Sequence, residues 1–157
     1  MAYSIHADTW QARKAKAILQ ALVQMTTDKG IRYDFFISKM IWAVSLYLES
    51  GDYKENWKTR LRASDAAIKL RQSSKNWEKL VTFEHARTLS DTFNLMRAGG
   101  ERLSLETAAE LIAQYPPVLI TREENARINE RGFRSSGIPE VRYDGIEISS
   151  FDLRVID

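Results

Sequence analysis

The chain has 157 residues, 44% of them hydrophobic and 28% charged, with three prolines; this is the composition of an ordered globular protein long enough to bury a core without covalent staples. It contains no cysteine, which excludes disulfides, thiolate zinc sites, iron–sulfur clusters and cysteine nucleophiles together, and suits a reducing cytosol. The formal charge of +2 hides a gradient, with ten basic against six acidic residues in 51–100 and seven against eleven in 101–157. Held apart in space, those segments make one face that attracts anions; packed together, they pair internally.

The N-terminus, Met1-Ala-Tyr-Ser-Ile-His6, has neither a charged n-region nor an apolar h-region, so no signal peptide is expected. Asp8 with Gln11 forms a capping-box pattern. Trp10, Ala15, Ile18, Leu19, Leu22 and Met25 then recur at helical spacing up to Gly30. Asp34 starts a second helix in which Phe36, Ile37, Met40, Ile41, Val44 and Leu48 are too many for one stripe, marking it as the centre of the core. Its apolar run Met40–Leu48, bounded by Lys39 and Glu49, is too short to span a bilayer. Trp10 and Trp42 both fall within these amphipathic helices and read as core.

Asp52 and Glu55 make a second capping-box pair and open residues 54–79 as one helix or two short ones, with Ser64 or Asp65 capping the second and Ser73-Ser74 breaking it. Leu80–Phe83 is a short strand or the approach to the helix Arg87–Met96, which Gly99-Gly100 ends. Ser104 caps a helix from Leu105 to Tyr115, stopped by Pro116-Pro117. Val118–Ile120 reads as a buried strand, and Thr121 with Glu124 caps a helix from Arg122 to Arg131 that closes at Gly132. Beyond the loop Phe133–Pro139, Val141–Tyr143 and Ile146–Ile148 alternate around Asp144-Gly145, a hairpin signal. The expectation is one α+β domain over residues 1–157, mainly helical, with about five to seven helices, a helical N-terminal two-thirds and a small C-terminal β-sheet that includes the hairpin.

Three groups of residues bear on function. Residues 54–79 carry Lys54, Lys58, Arg60, Arg62, Lys69, Arg71, Lys75 and Lys79 against Glu55, Asp65 and Glu78, bracketed by Trp57 and Trp77. Phosphates are held by cations and bases stack on flat aromatics, so Lys58, Arg60, Arg62, Lys69, Arg71, Lys75, Trp57 and Trp77 are candidate nucleic-acid contacts. A solvated helix surface with two core tryptophans has the same composition. Arg131, Arg134, Ser135 and Ser136, around Gly132 and Gly137, have the donors to grip a phosphate, or form a helix C-cap and the turn after it. Glu84-His85 pairs a carboxylate with one of the two histidines. It is a candidate acid–base or metal-binding step, or a histidine satisfied near the start of a helix. No serine pair has a partner histidine at a telling spacing, and Gly99-Gly100 lacks the Lys-Ser/Thr of a phosphate loop.

The segment Thr82-Phe-Glu-His85, a helix, and then Val118-Leu-Ile-Thr-Arg-Glu-Glu-Asn125 resemble a group of small bacterial proteins of unassigned function with a Glu-His step and a strand-to-helix Ile-Thr-Arg-Glu-Glu signature. The same order resembles the HNH (ββα-metal) nucleases. That resemblance implies His85 and Glu84 as catalytic residues, His85 and Asn125 as ligands, and Mg²⁺ or Mn²⁺ as cofactor. The family's proline after the histidine and its second metal-binding histidine are missing, since Ala86-Arg87-Thr88-Leu89 follows. The resulting expectation is a cytoplasmic protein that binds DNA or RNA, or serves as an accessory in a bacterial or phage nucleic-acid-processing system. The alternatives are an HNH-like nuclease and an immunity- or antitoxin-like module with a protein partner; no membrane is involved in any of them.

Overall fold

The computed structural model describes residues 3–52 and 60–152. Its elements run α1 (Trp10–Thr27), α2 (Phe35–Ser50), β1 (Arg60–Ser64), α3 (Asp65–Ser73), β2 (Val81–Glu84), α4 (Leu89–Gly99), α5 (Leu105–Ala113), β3 (Val118–Thr121), α6 (Arg122–Glu130), α7 (Pro139–Arg142) and β4 (Ile148–Asp152), with single 3₁₀ turns at Trp77–Leu80 and Gly100–Arg102. The fold is α+β and mainly helical. Its backbone divides into two compact units, residues 3–52 with 89–116 and residues 60–88 with 117–152. Among the described residues, no helix is long and apolar enough to cross a membrane.

The first unit packs α1, α2, α4 and α5 around one core. The Thr9 hydroxyl accepts from the Ala12 amide at 3.1 Å and caps α1, while Asp8, the expected cap, accepts from Arg13 at 2.8 Å. The helix buries Ala12, Ala15, Leu19 and Leu22. At 3.6 residues per turn Trp10 projects from the side opposite that stripe and is 57% exposed, so it is not a core residue. Trp42 is half-buried.

Asp34 caps α2 by accepting from the Ile37 amide at 2.9 Å. The helix buries Ile37, Ile41 and Val44, and then every residue from Ser45 to Leu48, as a central helix should. Phe36 sits in the first turn, before the helix reaches the core, and is 75% exposed against expectation. The helix closes at Gly51 with φ of 77°. A Cβ there would lie 2.7 Å from the Tyr3 ring, so both the backbone and the space require glycine.

The second unit is a mixed sheet of order β2-β3-β1-β4. Central β3 runs parallel to β1 and antiparallel to β2, and β4 adds to the far side of β1 in antiparallel pairing. Alternation along β3 splits the apolar residues between two faces. Leu119 packs with Ala63, Ala67 and Val81, whereas Val118 and Ile120 pack with Ile128 of α6.

Two expectations are corrected in this unit. The basic stretch enters as strand β1, not as a helix, because Arg60-Leu61-Arg62-Ala63 alternates with period two beside β3; Glu55 of the expected cap lies outside the described residues. The expected hairpin is also absent. Pro139 has the fixed φ of a helix's first turn and winds Val141 and Arg142 into α7, where the Arg142 amide donates to the Ile138 carbonyl at 3.0 Å. Asp144-Gly145 is a turn, with Gly145 at φ of 75°, but the strand it leads to pairs with β1.

One carboxylate ties the two strand-to-helix turns of this unit together. Ser64 caps α3, accepting from the Ala67 amide at 3.1 Å, and donates its own proton to Glu124 Oε2 at 2.6 Å. Glu124 completes the expected capping box of α6, with its Oε2 accepting from the Thr121 amide at 2.8 Å and its amide donating to the Thr121 hydroxyl at 3.0 Å. Glu124 is 4% exposed. Replacing it with Ala strands two buried donors and is expected to cost about 3 kcal/mol. Exposed Glu123 of the same turn is expected to tolerate Ala within about 0.5 kcal/mol. Urea unfolding of the two variants checks both values.

Candidate functional site

The Glu84-His85 step leaves β2 and meets Arg142 at the end of α7. The Arg142 guanidinium is almost wholly buried, at 2% exposure. It donates to the Glu84 carboxylate and to the Phe133 carbonyl, to the Ser136 carbonyl at 3.1 Å, and to the His85 carbonyl at 3.5 Å. Its own carbonyl accepts from Arg131 at 2.8 Å. Arg142 therefore sits where the turn after β2 meets the loop after α6.

This environment sets the chemistry of its neighbours. His85 is 6% exposed. Burial first and the Arg142 charge second push its imidazole down to about 3, so it is neutral at ordinary pH. Burial raises the Glu84 carboxyl above the usual carboxylate range even though Arg142 attracts its ionised form. The Tyr143 hydroxyl is buried and has no hydrogen-bond partner among the described residues. Burial, with the charges of Glu84 and Glu124 added, raises its pKa far above the usual phenol value. Neither Arg142 nor Tyr143 is expected from the sequence as a site residue, because alternation with Val141 assigns both to a hairpin.

An acid–base histidine needs access to water and a pKa near the working pH; His85 has neither in this arrangement. The Glu84 carboxylate is committed to Arg142, Asn125 is half-buried on α6, and no cluster of three or more histidines or carboxylates among the described residues is placed to hold an ion.

The loop proposed to grip phosphate is held from within. Gly132 and Phe133 close α6 in a Schellman arrangement, with their amides donating to Asn129 at 3.0 Å and Ile128 at 3.1 Å. Arg131 lies 5.7 Å from the Phe133 ring centroid as well as on the Arg142 carbonyl. Arg134, Ser135 and Ser136 are exposed, and the Ser136 carbonyl is an acceptor for Arg142.

The basic candidates divide. Trp57 and Lys58 lie outside the described residues, and Arg60 begins β1. Arg62 is exposed and in register with Val118, on the α6 face of the sheet. Lys69 and Arg71 lie on α3, Lys75 in the turn that follows it and Lys79 in the 3₁₀ turn; α3 and the 3₁₀ turn pack against each other on the other face. Lys69, Lys75 and Lys79 are exposed and make no ion pair among the described residues. Trp77 is half-buried against the Ala63–Leu119 cluster, with the Arg71 guanidinium 5.4 Å from its ring centroid.

The buried histidine predicts a pH signature. Unfolded His85 takes a proton near pH 6.5 and folded His85 only near 3, so between these values the unfolded state binds more protons and stability falls as pH falls. Glu84 acts in the opposite direction, because its raised folded pKa favours the protonated native state. Subtracting a variant isolates the histidine. Relative to His85→Gln, the wild type is expected to lose about 1.4 kcal/mol per pH unit between pH 6 and pH 4, read by urea unfolding across that range.

Compared with known proteins, the chain matches no family model, no curated protein and no solved structure.

Proposed function

We propose that this protein binds nucleic acid in the cytoplasm, alone or as an accessory of a bacterial or phage nucleic-acid-processing system, through the basic face formed by α3 and the 3₁₀ turn Trp77–Leu80. The observation that carries this reading is that Lys69, Lys75 and Lys79, close in sequence along α3 and the turns after it, are exposed and without an ion pair among the described residues. Glu78 is the carboxylate of the same stretch. Cations fixed on short regular elements contact successive phosphates without sequence preference, and each contact releases counterions. Arg62, on the other face of the sheet, is not part of this surface. A metal-dependent nuclease centred on His85 draws no support from a neutral, buried imidazole.

The triple variant K69A/K75A/K79A, at exposed positions, should fold normally. Its affinity for short DNA and RNA is expected to fall, and its plot of log affinity against log salt to flatten by about 2 to 3 in slope relative to wild type. Fluorescence anisotropy between about 50 and about 200 mM salt measures both. A wild-type affinity that does not change over that range overturns the reading.

A further inference from the structure

The first unit exposes two adjacent aromatic rings that its core does not use. Phe35 and Phe36 open α2 at 68% and 75% exposure, in an edge-to-face pair with centroids 6.1 Å apart. Exposed positions at the start of an amphipathic helix ordinarily carry polar side chains, so two large rings there are unexplained by folding.

Three cations and two acids, Asp28 and Asp34, accompany the rings in sequence. Lys39 lies one turn on, its ammonium 5.2 Å from the Phe35 ring centroid, and Lys29 and Arg32 are exposed in the loop that leads into the helix. Both acids are held locally by backbone amides, Asp34 accepting from Ile37 and Asp28 from Gly30 at 2.8 Å. The loop is also anchored. Arg97 of α4 donates to the Ile31 carbonyl while its guanidinium lies 4.7 Å from the Phe93 ring centroid, and the Tyr33 and Phe93 rings meet at 5.9 Å.

We infer that Phe35 and Phe36, with Lys29, Arg32 and Lys39, form a stacking surface for single-stranded nucleic acid. An unpaired base offers a π-face to an exposed ring, and cations on either side meet the phosphates that flank it. A duplex hides those faces, so this surface selects single strands. Anchoring of the loop by Arg97 lets the rings receive bases with little further ordering. The inference does not rest on the basic face of the second unit, which has its own residues and its own test.

The experiment uses the full chain and a fluorescein-labelled oligothymidylate, with a matched duplex for comparison. Wild type is expected to prefer the single strand. The double variant F35A/F36A is expected to lose about tenfold or more in single-strand affinity, and F35Y/F36Y, which keeps the rings, to retain it. Unchanged affinity in F35A/F36A overturns the inference. So does a dependence on the two rings seen only for phosphatidylserine vesicles, or only for self-association in sedimentation, because the surface then serves a membrane or a second copy. The lysine variant K69A/K75A/K79A separates the two readings. If it binds oligothymidylate like wild type while F35A/F36A does not, the second-unit reading fails and this one stands; the reverse result overturns this inference alone.

Discussion

The arrangement of the second unit depends on a charge that cannot be removed. A guanidinium stays protonated at any physiological pH and brings five N–H donors, so burying Arg142 obliges the chain to bring acceptors to it. It does so with the Glu84 carboxylate and the carbonyls of Phe133 and Ser136, which ties the irregular stretch after α6 to the end of β2. The fit is tight enough to demand a glycine. Gly137 adopts φ of 105°, and a Cβ there would lie 2.7 Å from the Phe133 ring and 3.2 Å from Arg142 Cγ. A buried pair of this kind adds little net stability over an apolar pair of the same shape. Its effect is on geometry, because any other path of the loop leaves a desolvated cation without acceptors.

The same cation accounts for the character of its neighbours. It lies against the His85 carbonyl and makes a second positive charge there costly, so the imidazole is held neutral by its surroundings as well as by burial. Tyr143 follows α7 directly and keeps its proton because burial and the nearby carboxylates both disfavour the phenolate. His85 and Tyr143 are thus both held in their neutral forms at ordinary pH.

Much of the architecture is written in local signals. Asp34, Ser64, Ser104 and Thr121 all cap the helices their sequence positions announce, since a short polar side chain ahead of an apolar period needs only its own turn to act. The misreadings arise where two local signals compete or where the decisive partner is remote. Thr9 and Asp8 offer equivalent caps one residue apart, and Thr9 is the one that places the Ala12–Leu22 stripe inward. Arg60–Ala63 has a strand's alternation, obscured in sequence by its charge, and β3 and β4 make it one. Asp144-Gly145 favours a turn but says nothing about which strand the following residues join. Glu84-His85 is visible in sequence as a pair; that an arginine 58 residues away would take the carboxylate is not.

The charge gradient along the chain meets a similar fate. The basic segment 60–88 and the acidic segment 117–152 fold into the same unit, where twelve basic residues stand against ten acidic ones. No large one-signed field survives that mixing, so long-range steering is weak. At physiological ionic strength, screening over about 8 Å confines each cation to its own neighbourhood. What remains is short-range, set by which side chains a rigid element holds together. Along α3 and the turns after it the chain carries exposed lysines and an Arg71–Trp77 contact; at the start of α2 it carries two exposed rings with the Lys39 ammonium over one of them. A surface built in the first way responds to phosphate density and salt. One built in the second responds to unstacked bases, and the two kinds of dependence are physically separable within one chain.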